Sequence, residues 1–257
     1  MKISTAAQIF LKSPIHKPKF NDTELELTKK YIQDKNIYLV VHSQYLLNFC
    51  KPPNEIAFAI ESLVHDLFIL DKIIPKSTTG IVLHLGKNTN KNTLETCIDN
   101  FVNCIKCVID KTKYTKLKII LETSTKGRNG SDVFHNLENF GKLYNSLQEN
   151  LGNDISRIGF CIDTCHIFGS GYDISTKDGF KNFIIEWNKY IGYKNITLFH
   201  LNDSLNSCTQ LGDGEIWKDN FDSLGLILAF CKKLGIPCIS ETGGNQETEI
   251  DIISQLI

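Results

Sequence analysis

The feature that most limits what this chain can become is an alternation. Short apolar runs and longer amphipathic stretches follow one another from end to end. The short runs fall at 7–11, 37–42, 80–85, 118–122, 157–163, 197–201 and 237–241. They have the length and composition of buried strands. Between them, Ile56, Ile60, Leu63, Leu67 and Leu70 recur at three- and four-residue steps across 54–73. Leu94, Ile98, Phe101, Ile105 and Val108 do the same across 93–110, as do Val133, Leu137, Phe140, Tyr144 and Leu147 across 131–149. That spacing puts one apolar face on a helix. Strand–helix alternation implies a parallel sheet with right-handed crossovers, which leaves an open doubly wound sheet or a (β/α)₈ barrel. No GxGxxG or P-loop follows the first strand, and 257 residues suit the barrel. No linker splits the chain. The expected fold is therefore a TIM-type α/β barrel in a single domain over 1–257, with seven strands rather than eight.

A net charge of −1 gives no global electrostatic case for nucleic acid, although a local basic patch or bound cations would change that locally. The nine cysteines do not make a paired CxxC zinc pattern. Cys104 and Cys107 form one CxxC, but inside a helical pattern. Reduced, buried thiols of an intracellular protein are the expectation. No signal peptide and no apolar run near 18 residues is present, so the expected location is cytoplasmic or nuclear, without a membrane.

The strand ends carry the chemistry. From the second strand onward they read His42, His84, Glu122, Asp163, His200 and Glu241, at intervals of 42, 38, 41, 37 and 41 residues. Each interval is one βα unit, and parallel strands would send all six side chains to one mouth. One such histidine would be an ordinary hydrogen-bonding residue. Six imidazoles and carboxylates gathered together are costly without a compensating cation. The mixture suits Zn²⁺ or Mn²⁺ rather than Ca²⁺ or Mg²⁺. Six ligands exceed the need of one tetrahedral ion, and a shared carboxylate would let them hold two. In GFCIDTCHIFGSGYD (159–173), Asp163 is then a ligand and His166 stands one turn further on, while Cys161 and Cys165 read as packing.

These motifs resemble the endonuclease IV family of apurinic/apyrimidinic endonucleases, zinc enzymes with a TIM-barrel fold. CIDTCHIFGSGYD is close to that family's strand-six signature. VHSQYLLNF (41–49), VLHLG (82–86), ILETSTKGRNGS (120–131), FHLNDS (199–204), LGDGEI (211–216) and ISETGG (239–244) follow in the family's order. The resemblance implies that His42 and His84 hold a first zinc with Glu122 bridging. Glu122, Asp163, His200 and Glu241 would hold a second, and His166 belongs to a third. Glu122 and Glu241 would be catalytic, with Glu241 a plausible orienter of the nucleophile. The implied reaction is attack by a metal-bound hydroxide on the phosphodiester 5′ to an abasic nucleotide in double-stranded DNA. The lesion would be flipped out of the helix, with Tyr45 helping to hold the distorted duplex.

Two departures qualify the likeness. The family's Asp-x-His pair is absent from the short interval 204–210, SLNSCTQ. His166 thus loses its usual partners, with Asp203, Asp213 or Glu215 as distant substitutes. Two firmly held ions are expected, with a third weak or absent. The family's first strand and helix also have no counterpart before AAQIFLKSP (6–14), in keeping with seven strands. Lys12, Lys17 and Lys19, with His16, and Lys126 with Arg128, occupy loops expected at the mouth, where phosphates pass. A monomer is expected. Two other readings remain open: a degenerate copy that binds damaged DNA without cutting it, and a single-metal sugar isomerase or epimerase. The latter would have no need of His42 and His84.

Overall fold

A computed structural model of the chain describes residues 5–11, 20–45, 47–74, 78–127, 131–205, 207–218, 220–242 and 245–257. They form two compact units, Met1–Glu122 with Leu143–Gly159, and Thr123–Lys142 with Phe160–Ile257.

The first unit holds β1 (Ala6–Phe10), α1 (Asp22–Lys35), β2 (Tyr38–His42), α2 (Ala57–Ile73), β3 (Gly80–His84), α3 (Leu94–Lys111) and β4 (Lys118–Glu122). Its strands pair in chain order, all parallel. Asn21 starts α1 with a reciprocal capping box to Glu24, and Thr93 caps α3. Both satisfy amide groups that a helix start leaves unpaired. The register places the site residues. Phe10 lies opposite His42, His42 opposite Val82, and His84 opposite Glu122. Side chains alternate with a period of two, so Phe10, His42, His84 and Glu122 share one face of the sheet. Gly80 allows β3 to approach β4, because a Cβ there would sit 2.0 Å from the Lys118 carbonyl oxygen.

The second unit holds most of β5 (Ile158–Asp163), then α5 (Thr164–Gly169), α6 (Lys177–Tyr190), β6 (Ile196–His200), β7 (Asp203–Ser204), β8 (Cys208–Thr209), α7 (Asp222–Leu234), β9 (Cys238–Ile239) and α8 (Gln246–Leu256). Helix α4 (Leu137–Leu151) is divided between the units. The pairings β5–β6 and β6–β9 are parallel, and β7–β8 is a short antiparallel hairpin. A register shift between Phe160 and Cys161 moves the β5 partner from Ile196 to Leu198, leaving Thr197 as the extra residue. Without that shift Asp163 would face Phe199, and its side chain would point away from the His200 face. With it, Asp163 lies opposite His200, which lies opposite Ile239. Phe140, Phe160 and Trp187 meet edge to face at 5.3, 5.9 and 5.8 Å and form the aromatic centre of this unit.

All seven expected strands are present among the described residues, and two boundaries differ in ways with local causes. The helix expected over 131–149 begins at Leu137, because the Asn136 side chain accepts the Asn139 amide and Asn139 donates to the Val133 carbonyl. The last strand ends at Ile239, two residues before Glu241, because Ser240 and Thr242 turn their hydroxyls to Glu249. The hairpin β7–β8 was not expected. Among the described residues no helix is long and apolar enough to cross a membrane.

Arg157, 3% exposed, closes the first unit's base. Its guanidinium donates to the Leu117 and Thr112 carbonyls at 3.1 Å and to the Thr112 hydroxyl at 3.0 Å. Burial pushes its pKa down from the ordinary value. Arg157→Ala would strand buried acceptors, each costing about 1–3 kcal/mol. We expect equilibrium denaturation to show a loss of about 3 kcal/mol. A change within about 0.5 kcal/mol, typical of a surface site, would contradict this role.

Candidate metal centre

In the first unit, His42, His84 and Glu122 offer donor atoms that all lie within 4.8 Å of one another. His42 and Glu122 are buried, whereas the His84 side chain is 23% exposed. His42 Nδ1 lies 2.6 Å from the Ser43 carbonyl oxygen. A carbonyl only accepts, so Nδ1 donates there and Nε2 is the ring atom left to face the site. His42 Nε2 lies 3.2 Å from Glu122 Oε2, and His84 Nε2 stands 3.4 Å from the same oxygen. Lone pairs facing at this distance repel unless a proton or a metal cation lies between them. The donor set therefore fits a zinc-class ion.

In the second unit, His200 Nδ1 is 3.1 Å from Glu241 Oε2 and 3.7 Å from Asp163 Oδ2. Asp163 also caps α5, accepting the His166 amide at 2.9 Å, while its own amide donates to the Thr123 hydroxyl. Asn202 joins the two carboxylate residues. Its side-chain nitrogen donates to Asp163 Oδ2 at 2.6 Å, and its oxygen accepts the Glu241 amide at 3.0 Å. Glu249 on α8 supports Glu241 from behind, accepting Ser240, Thr242 and the Leu211 amide. Such outer partners orient ligands and tune affinity.

The remaining site candidates divide clearly. His166 Nδ1 lies 2.9 Å from the Thr123 carbonyl oxygen, and the residue belongs to none of the three-donor clusters among the described residues. Of its suggested substitute partners, Asp203 is fully buried and occupied by the amides of Ser204, Gly212, Ile216 and Trp217. It is the organiser of the 211–217 loop. Asp213 and Glu215 are exposed and also belong to no cluster among the described residues. Tyr45, 61% exposed, packs its ring 5.0 Å from His42 and 5.2 Å from His84. Phe10 sits 5.0 Å from His42 and 5.7 Å from Tyr45. Lys126 is exposed in the segment after β4. Lys12 and Arg128, like His16, Lys17 and Lys19, lie outside the described residues.

Phe10, Asn202 and Glu249 were missed from the sequence. Asn202 had a signal, since it follows His200 by two residues in FHLNDS. Glu249 had none, because it reads as one more acid on an amphipathic helix. We expect Asn202→Ala to weaken metal binding by the second group roughly 10–100-fold, measured by competition with a chromophoric chelator. Unchanged affinity would show that Asp163 and Glu241 need no bridge.

A family model described as a xylose isomerase-like TIM barrel matches residues 4–229. A putative endonuclease 4 of Acanthamoeba polyphaga mimivirus is 35% identical over 246 residues, covering 91% of this chain and 76% of the relative. Apurinic-apyrimidinic endonuclease 1 of Saccharomyces cerevisiae is 32% identical over 250 residues, covering 91% of this chain and 63% of the relative. The crystal structure of AsfvAP:AG superposes with a TM-score of 0.75 at 22% identity, over 97% of this chain and 83% of that one. That last likeness shows the fold alone, and it is the TIM-type α/β fold expected from the sequence. With family model and relatives in agreement over most of its length, the chain belongs to the endonuclease 4 family of xylose isomerase-like TIM barrels.

Proposed function

We propose that this chain is a metal-dependent apurinic/apyrimidinic endonuclease that hydrolyses the phosphodiester 5′ to an abasic site in double-stranded DNA. The observation that carries the reading is the His42–His84–Glu122 group, with two imidazole nitrogens at 3.2 and 3.4 Å from one carboxylate oxygen. A single-metal sugar isomerase would need no such group. The names of the relatives, endonuclease 4 and apurinic-apyrimidinic endonuclease, support the substrate class.

The proposed ion holders are His42, His84 and Glu122 for one ion, and Asp163, His200 and Glu241 for the other, with Zn²⁺ or Mn²⁺ as the metal. When bound, such ions polarise a phosphodiester and generate a nucleophile at neutral pH. The chain's own residues have distinct tasks. Glu122 and Asp163 are 0% exposed and serve as fixed ligands. The Glu241 side chain is 19% exposed, so it can also accept a proton from an attacking water and aim it. His84 faces solvent in part and lies on the substrate's side of the first group. Tyr45 and Phe10 offer an aromatic surface against which an unstacked nucleotide rests. Lys126, with Lys12 and Arg128, would contact backbone phosphates, making affinity salt-dependent. Nothing in this arrangement requires a second copy, and a monomer is proposed.

The test is a labelled duplex with one stable abasic analogue, incubated with the metal-loaded protein. We expect a cut on the 5′ side of the lesion, no cut in intact duplex, and abolition by EDTA and by Glu122→Ala. If metal is bound and no cut appears, the binding-only reading replaces this one. Tyr45→Ala should raise KM roughly tenfold with little change in kcat, the loss of about 1–3 kcal/mol of stacking. An unaltered KM would remove Tyr45 from the DNA surface.

A further inference from the structure

We propose that Cys165, Cys208 and Asp163 form an additional metal site, one that takes a thiophilic divalent cation of the zinc class through two sulfur ligands. It goes beyond the nuclease reading, sharing only Asp163 with that set.

The donors are already gathered. Cys165 Sγ, Cys208 Sγ and an Asp163 oxygen all lie within 4.8 Å of one another. Tetrahedral zinc, with bonds of about 2.3 Å to sulfur and about 2.0–2.2 Å to oxygen, holds such donors roughly 3.5–3.8 Å apart. Closing the cluster around an ion therefore takes small side-chain shifts and no refolding. A water can complete the fourth position. Sulfur donors select zinc over magnesium or calcium. Binding replaces the two S–H protons, which leave to solvent, with two metal–sulfur bonds.

The frame around the cluster is stiff. Cys208 lies opposite Ser204 in the β7–β8 hairpin. The neighbouring Asp203 is locked by four backbone amides at 2.8–3.3 Å. On the other side, the Thr164 hydroxyl donates to the Asn202 carbonyl at 2.6 Å and accepts the Asn202 amide at 2.8 Å. Cys165 follows Thr164 directly. Both thiols are thus fixed to the segment that leaves β6, which lowers the ordering cost of ligation.

Thiol contact alone would not carry this inference. Cys50 touches Cys97, and Cys231 touches Cys238. Among the described residues neither pair gains a third donor within reach, whereas Cys165 and Cys208 gain a carboxylate. Cys208 is half-buried, which leaves an approach for the ion.

The experiment uses the full chain, stripped by chelator under reductant and titrated with Co²⁺. Ligation by sulfur gives an intense near-ultraviolet charge-transfer band, which imidazole and carboxylate sites lack. We expect that band in the wild-type protein. We expect its loss in Cys208→Ser and Cys165→Ser, with one fewer ion per chain by native mass spectrometry. His42→Ala should keep the band while losing an ion elsewhere, so failure of the nuclease site and failure of this one are read separately. Alkylation of the wild-type protein with and without Zn²⁺ provides a measurement independent of the variants' folding. Cys165 and Cys208 should be protected by the ion and Cys238 should not. The proposal is overturned if the wild type shows no charge-transfer band at saturating Co²⁺, or if both serine variants retain it. It is equally overturned if peptide mapping finds Cys165 and Cys208 joined as a disulfide with no ion bound.

Discussion

An imidazole nitrogen and a carboxylate oxygen held 3.2 Å apart in a buried setting, as those of His42 and Glu122 are, can persist only with positive charge close by. The Ser43 carbonyl leaves no freedom for the ring to escape by swapping tautomer. Much else in the chain serves to keep such groups facing one another. The β1–β4 register brings three site residues to one face, and Gly80 lets two of the strands approach. In the second unit the extra residue Thr197 shifts the β5–β6 register so that Asp163 and His200 lie side by side.

A layer of polar side chains supports these groups from behind. Asn202 ties Asp163 to Glu241, Glu249 fixes the residues on both sides of Glu241, and Asp203 gathers the loop at 211–217. Asp163, Asp203 and Glu249 each accept two or more hydrogen bonds, which is what makes their burial tolerable. The same layer explains why the last strand stops early. Ser240 and Thr242 give their hydroxyls to Glu249, so the backbone there follows α8 rather than the sheet ladder.

The missing Asp-x-His pair takes on a different meaning beside this frame. Where that pair would stand, Ser204 pairs with Cys208 in the β7–β8 hairpin, which brings Cys208 to Cys165 and Asp163. His166, which the family resemblance assigns to a third zinc, has its Nδ1 2.9 Å from the Thr123 carbonyl oxygen. Asp203, a candidate substitute by composition, is consumed by backbone amides.

Sequence periodicity alone determined the strand–helix alternation, the parallel sheet and six of the ligand candidates. The reason is physical: a strand end recurs once per βα unit, and a charged or imidazole side chain there interrupts an apolar run visibly. Motif likeness added the family. The boundaries at 131–136 and 240–242 were hidden because side-chain caps, which periodicity does not encode, decide them. The bridging role of Asn202, the place of Glu249 and the Cys165–Cys208 pairing were decided by tertiary structure. Each joins residues 7 to 43 positions apart, through Thr242 and Glu249, Ser240 and Glu249, Asn202 and Glu241, or Cys165 and Cys208. Such pairs exist only once register, bulge and hairpin have set which side chains face each other.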